Sequence, residues 1–535
     1  MNLDKKQIIV FILGIFILCL FFYLYNYFNI HNNYNIKVFN SPDETSNYFF
    51  TENFAKNNSI VKKLDYNEAE IKNVAKLIHP RSVAINNFNL IPISFIGLIL
   101  IYGTIAKIFG IWIIQYLTPF FSILGVVFLY LLVKKIFDKK IAIISSILVL
   151  INPAYWYFSS KLLMHNLLFI SLLIISYYFL ISAIKDKKII YFICWGFFLG
   201  LSIITRTSEF LWILVSILLI LIFYKVKINY KLLISAIVLI ITIYPVLYFN
   251  KTYNDSYFKF SYTENLDKNV VQSGIVNPEN TNIFTQVFNI IFPFGIKIKN
   301  IISVIYNFFL KLNWIFCLLL FLSLLILFIK RKSLSKKDLG FMLIWFIISA
   351  YLFVYYGSWQ ISDNAIIGSV TIGSSYIRYL LPFFILSTVL ISIAINKLKK
   401  NKLSIIIISI LIGIFAIMSK QMVYNNDIDS QKNISNNIHN FYNLKKNILK
   451  TTENNAIIFT NRSDKFIFPE RNVVYLDGDN IYNYKNTENF KDIKIPMYYF
   501  DNKKEISKEN NNIKLESIFE TEEYFLYKIN FTNEA

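Results

Sequence analysis

A proline followed by two carboxylates, Pro42-Asp43-Glu44, stands shortly beyond the first long apolar run of the chain. Ionised carboxylates cost free energy wherever water is scarce. A pair at the mouth of a membrane segment is therefore either a turn in a solvated loop or a chemical centre, and we take it as the centre. Cationic groups follow at intervals: His79-Pro80-Arg81, then Arg206 with Glu209 nearby, then Arg378 within Ser375-Tyr376-Ile377-Arg378-Tyr379-Leu380-Leu381-Pro382. A guanidinium group offers paired donors that match the oxygens of a phosphate or a carboxylate. Each cation also has a plainer reading. Arg81 is equally an exposed interfacial arginine, and Arg378 a snorkelling anchor at a span end. Arg206 is equally half of an i, i+3 ion pair with Glu209. His79 either positions an anion or faces water. Asp363, in the loop ahead of Arg378, is a candidate second acid; Lys161 and His165, near another helix end, rank below these.

The elements that must position these groups are apolar helices. The chain has 535 residues, is 56% hydrophobic and has a mean hydropathy of +0.49. Apolar runs longer than about 18 residues recur along it, which marks a polytopic membrane protein. The formal charge of +21 would point to nucleic acid in a soluble domain. Here the cations cluster between the apolar segments, so they report topology instead, and no nucleic-acid partner is expected. The three cysteines, Cys19, Cys194 and Cys317, all lie inside apolar runs, which argues against a disulfide framework or a thiolate metal site. The N-terminus could pass for a signal peptide, but no Ala-x-Ala-like site follows, and a retained first helix is expected.

Lys5 and Lys6 precede the first span, 7–25, and place the N-terminus in the cytoplasm. Residues 90–133 are long enough for two spans. Two spans would put Lys134, Lys135, Lys139 and Lys140 outside and invert every later basic cluster. One span over 111–133, preceded by an interfacial helix over 90–109, keeps all the clusters inside. Further spans follow at 141–159, 163–184, 189–205, 208–224, 231–249, 301–329, 339–357, 377–396 and 403–423. The expected fold is thus an all-α polytopic membrane protein of about eleven spans, multi-pass in the plasma membrane. Residues 1–423 form its membrane domain, and the tail, 424–535, a small extracytoplasmic C-terminal α/β domain. Strand-like runs in that tail lie at 456–460, 473–476 and 524–529.

The order of these motifs resembles the polytopic glycosyltransferases of the GT-C superfamily, in particular the protein O-mannosyltransferases and lipid A aminoarabinose transferases (glycosyltransferase family 39-like). The landmarks are Pro42-Asp43-Glu44 in a large first loop, His79-Pro80-Arg81 ahead of Lys107-Ile108-Phe109-Gly110, Asn152-Pro153, Thr205-Arg206 and the Arg378-Tyr379-Leu380-Leu381-Pro382 run. The resemblance implies an inverting transfer of a sugar from a polyprenyl-phosphate carrier to an acceptor hydroxyl on the outer face, the acceptor being a protein, lipid or glycan. It implies Asp43 as general base, with Glu44 orienting the acceptor or holding a cation. It implies Arg81, Arg378, His79 and Arg206 as candidates for the donor phosphate, and Asp363 as a possible acceptor-side acid. No essential metal or other cofactor is expected, although a divalent cation is compatible with the acidic pair. The competing class is a transporter or flippase of a lipid-linked sugar or small solute, which would want ionisable groups deep within spans. A third reading, a membrane scaffold for the tail, leaves the ordered motifs without purpose.

Overall fold

The structure is a computed structural model that describes residues 5–31, 37–258, 288–361, 369–398, 402–425, 428–502 and 513–531. Asp363 lies outside the described residues. Among the described residues, five helices are long and apolar enough to cross a bilayer: Ile111–Ile136, His165–Asp186, Tyr230–Tyr253, Lys336–Ser358 and Leu403–Tyr424. Three bent pairs raise the number to eight when each is taken as one span. The expected segments 7–25 and 377–396 correspond to shorter apolar helices, Ile12–Phe28 and Leu381–Lys397.

The bends have local causes. At Asn152-Pro153 the proline has no N–H to continue the ladder, and Asn152 Oδ1 caps the new helix by accepting from the N–H groups of Ala154 and Tyr155 at 3.1 and 3.2 Å. The two helices meet there at 58°. At Arg206 the bend between Ile189–Thr205 and Thr207–Phe223 is 113°. The sequence reading takes these two helices as successive spans. The expected span 301–329 breaks at 96° instead. A π-helical stretch, Ile305–Lys311, ends where Asn313 Nδ2 donates to the Phe308 carbonyl at 2.9 Å.

The chain forms two compact units, the first made of Met1–His31, Gln115–Tyr248 and Thr263–Asn433. Its basic clusters meet one another. Lys135 Nζ pairs with Asp186 at 2.5 Å, and Lys185 Nζ donates to the Lys135 carbonyl. Lys231 Nζ reaches the Lys187 carbonyl at 2.7 Å. Lys397 pairs with Asp338 at 2.8 Å, and Asn396 Nδ2 donates to Asp138 at 3.1 Å. Groups from five separate inter-helix segments thus gather at one end of the unit. The helix flanks expose Leu214, Leu218, Ile240, Phe321, Phe346 and Ile410, an apolar surface suited to lipid. Two of the helices approach to backbone contact. A Cβ on Gly196 would fall on the Ser235 carbonyl oxygen and lie 3.2 Å from its Cα. No rotamer change relieves a backbone clash, so Gly196→Val is expected to cost about 1–3 kcal/mol. Thermal unfolding in detergent checks this, with Gly14→Val, where nothing lies within 4 Å, unchanged.

The second unit comprises Asn32–Ile114, Phe249–Tyr262 and Ile434–Ala535. Its larger sheet has the order β5-β4-β6-β8-β7, from β4 (Ile457–Thr460), β5 (Asn472–Tyr475), β6 (Met497–Asn502), β7 (Ile513–Glu520) and β8 (Tyr524–Phe531). β4 runs parallel to β5 and β6, while β6, β8 and β7 are antiparallel. The three expected strand runs are β4, β5 and β8. A smaller antiparallel sheet, β1-β3-β2, joins Lys62–Lys63, Asn89–Pro92 and Val83–Asn86.

The expected interfacial helix over 90–109 needs correcting at its start. Leu90-Ile91-Pro92 pair with β2, and the helix begins only at Gly97, running to Phe109. Its 13 residues span about 20 Å, short of the roughly 30 Å of a bilayer core. It packs at Gly103 against Phe54 and the Thr51 carbonyl of the Pro42–Asn57 helix.

Glu52, buried on that Pro42–Asn57 helix, accepts from Lys37 at 2.6 Å and from Lys56 at 2.7 Å. Burial pushes its carboxyl group up, and the hydrogen bonds and charges of the two lysines outweigh this and hold it below the usual glutamate value. A depressed pKa contributes stability that is complete above the unfolded value, about 4.3, and is lost as pH falls through the folded one. Lys56 is exposed and Lys37 half-buried, so screening limits the contribution to about 1 kcal/mol. Hydrogen-exchange protection in the helix, corrected for the intrinsic exchange rate, is expected to fall below about pH 4.3, and Glu52→Gln is expected to flatten that dependence.

Candidate active site

Asp43 and Glu44 are not in a loop turn. They occupy the first turn of the Pro42–Asn57 helix, with Pro42 at its first position. A proline there loses no hydrogen bond, and carboxylates in the first turn face the positive end of the helix dipole. Glu44 is buried and Asp43 half-buried. Asp43 Oδ1 accepts the Ser82 hydroxyl at 2.6 Å. Ser82 has φ +62°, left-handed backbone that a serine adopts only when its surroundings hold it. They do: the Ser82 carbonyl accepts from Ser46 Oγ at 2.8 Å and from the Ile93 N–H at 3.3 Å.

Arg81, expected on a phosphate, is gripped by a carboxylate instead. Its Nε donates to both oxygens of Asp464 at 3.1 Å, and its Nη2 reaches Oδ1 at 2.6 Å. Its backbone N–H also donates to Asp464 Oδ2, at 2.8 Å. The guanidinium lies 5.3 Å from the Tyr475 ring centroid. Burial would draw its pKa down, but the charge and hydrogen bonds of Asp464 outweigh this and raise it. His79 is half-buried, with Nδ1 2.9 Å from the Pro80 carbonyl oxygen.

In the first unit the structure gathers Arg206, Glu209, Tyr356, Tyr379 and Arg378. The ion-pair reading of Arg206 is the one its geometry matches. Nη2 lies 2.8 Å and Nε 3.0 Å from Glu209 Oε1. Nη2 also donates to the Tyr356 hydroxyl at 3.1 Å. Glu209 accepts further from Trp212 Nε1 at 2.6 Å and from the Tyr356 hydroxyl. The rings of Tyr356 and Tyr379 stack at 4.5 Å, and the Arg206 guanidinium lies 4.7 Å from the Tyr379 centroid. Arg378 lies 5.0 Å from the same centroid, with Nη2 donating to the Tyr379 hydroxyl at 3.2 Å and Nη1 3.9 Å from Met164 Sδ. His165 is buried at the start of the His165–Asp186 helix, and Lys161 sits over Tyr157.

Two residues that hold the candidate site escape a reading of the sequence alone. Ser82 carries no signal, and Asp464 lies in the run Thr460-Asn461-Arg462-Ser463-Asp464-Lys465, which reads as a surface turn or an acceptor patch. The structure corrects the turn reading: Asp464 opens the short helix Asp464–Ile467 and is fully buried. An acidic residue just before Phe466-Ile467 is a helix-start signal that could have marked it.

A sequence profile of the dolichyl-phosphate-mannose-protein mannosyltransferase family matches residues 98–249. The matched stretch includes Arg206 and Glu209 and lies outside Asp43, Glu44, His79, Arg81 and Arg378. No curated protein matches the chain significantly in sequence. Among solved structures, ArnT from Cupriavidus metallidurans bound to undecaprenyl phosphate is similar at 9% identity and a TM-score of 0.56, over 98% of each chain. The Archaeoglobus fulgidus oligosaccharyltransferase tethered with an acceptor peptide is similar at 13% identity and a TM-score of 0.53, over 91% of this chain and 69% of that one. The chain has the GT-C fold that these two structures share. The acidic pair of this chain stands at a helix start in the segment after the first apolar helix.

Proposed function

We propose that this GT-C protein is an inverting glycosyltransferase that uses a polyprenyl-phosphate sugar and works on the outer face of the plasma membrane, with its tail domain outside. The observation that carries the reading is Asp43, a half-buried carboxylate held by Ser82 at a helix start in a chain of this fold. In the transfer, Asp43 takes the proton of the acceptor hydroxyl as that oxygen bonds to the anomeric carbon. The bond from that carbon to the phosphate oxygen breaks, and the polyprenyl phosphate leaves with the electron pair. A phosphate is stable as an anion, so the step needs no strong general acid, only cations that hold the charge. We assign Arg378 to that role, because it stands just ahead of the apolar Leu381–Lys397 helix, the position of a cation that meets a lipid phosphate. Glu44 is assigned to orienting the acceptor.

The test is transfer in sealed vesicles that carry the full chain, with undecaprenyl-phosphate-linked radiolabelled mannose, glucose and aminoarabinose tried in turn. Release of undecaprenyl phosphate with label in a protein, lipid or glycan fraction is the expected result. Intact donor that crosses the bilayer would make the protein a flippase instead.

A further inference from the structure

We infer that Asp464, in the C-terminal domain, is a positioning residue for the base Asp43, so that the tail sets the geometry of the proton-accepting carboxylate. The inference rests on the base assignment above and goes beyond it by giving the tail a part in the reaction.

The path is short: hydrogen bonds join Asp464 to Arg81 and Ser82 to Asp43, and the peptide bond joins Arg81 to Ser82. Asp464 is fully buried, and both its oxygens are used by Arg81. The grip is on backbone as well as side chain, since the Arg81 N–H donates to Oδ2 at 2.8 Å. Arg81 Nη2 adds a bond to the Arg462 carbonyl at 3.1 Å, so two successive parts of the tail segment hold one arginine. The residue after Arg81 is Ser82, in left-handed backbone, and its hydroxyl is the donor to Asp43. A second tie fastens the other partner. Thr45 Oγ1, in the same helical turn as Asp43, donates to the Lys465 carbonyl at 2.6 Å. Residues 464 and 465 therefore hold both the donor loop and the helix turn that carries the acceptor. A ring contact of Phe49 with Phe468, centroids 4.8 Å apart, extends the same seam.

A surface brace would not need this construction. A fully buried carboxylate on a partly exposed arginine, aimed at the backbone of a residue next to a left-handed serine, fixes direction as well as distance. Displacement of a reacting group by about 1 Å can cost about 10²-fold in rate. Outer contacts that orient a functional side chain matter for this reason.

The experiment uses the full chain in vesicles with undecaprenyl-phosphate-linked radiolabelled sugar, the one transferred by wild type. Asp464→Ala is expected to lower kcat per folded protein about 10-fold or more, with KM for the donor unchanged; the lost ion pair also lowers the unfolding midpoint, so rates are compared per amount of folded protein. Asp464→Asn still accepts the Arg81 backbone N–H and is expected to lose less, and it carries the test if the alanine variant fails to fold. Ser82→Ala acts on the same path. The double variant Asp464→Ala/Ser82→Ala should therefore be no slower than the slower single one, and Asp464→Ala should change nothing in an Asp43→Asn background. Multiplying losses, a rise in KM at constant kcat, or a loss that follows the amount of folded protein would overturn the inference. Impaired Asp43→Asn beside unimpaired Asp464 variants overturns it alone. An unimpaired Asp43→Asn enzyme overturns the base assignment, and the inference falls with it.

Discussion

Asp43→Asn is expected to lower sugar transfer by about 10²-fold or more, because asparagine keeps the size and the hydrogen bond of the carboxylate but takes no proton at neutral pH. The Ser82 hydroxyl can still donate to the amide oxygen, so the helix start and the left-handed serine should survive the change. Membranes that carry equal amounts of both proteins, with unfolding midpoints compared in detergent, separate the loss of a base from the loss of a fold. Glu44→Gln is the matched control. Glu44 is buried rather than half-buried, and its assigned role is orientation, so its loss should be smaller and fall partly on the acceptor KM. Full activity in Asp43→Asn would remove Asp43 as the base and turn attention to Glu44 and Asp363.

Arg206→Ala should destabilise the protein by about 3–5 kcal/mol, because it strands a buried charge. Arg206 and Glu209 are only 5% and 3% exposed, and Arg206 supplies Glu209 with two guanidinium donors at 2.8 and 3.0 Å. Trp212 and Tyr356 would still donate to the carboxylate, but neither balances its charge. The double variant Arg206→Met/Glu209→Leu removes both charges and fills similar volume, so it should regain most of the loss. Thermal unfolding in detergent reads both. If Arg206→Ala kept its unfolding midpoint and instead lost binding of undecaprenyl phosphate, Arg206 would be a phosphate ligand and the ion pair incidental.

What the sequence alone determined is what depends on near neighbours. Apolar run length marks a membrane protein because a helix must be long enough to cross the bilayer. The basic clusters predicted one shared end, and the contacts among Lys135, Lys185, Lys231 and Lys397 gather them there. The Arg206–Glu209 spacing already allowed an ion pair, since three residues bring two side chains to one face of a turn. β4, β5 and β8 were legible as β-branched and aromatic runs. β7 was not, because it lies at the sheet edge and its sequence, Ile-Lys-Leu-Glu-Ser-Ile-Phe-Glu, leaves most side chains exposed.

The tertiary structure decided which partner each charged group takes. Arg81 could chemically bind a phosphate, face water or pair with a carboxylate. Asp464 settles the matter from 383 positions away, and Tyr356 meets Arg206 across 150. Such choices depend on how the chain returns upon itself, which local sterics and hydropathy do not encode. The setting of Asp43 is of the same kind. Its place at a helix start follows from Pro42, but its hydrogen bond to Ser82 exists only because the loop that carries Arg81 is tied to the tail.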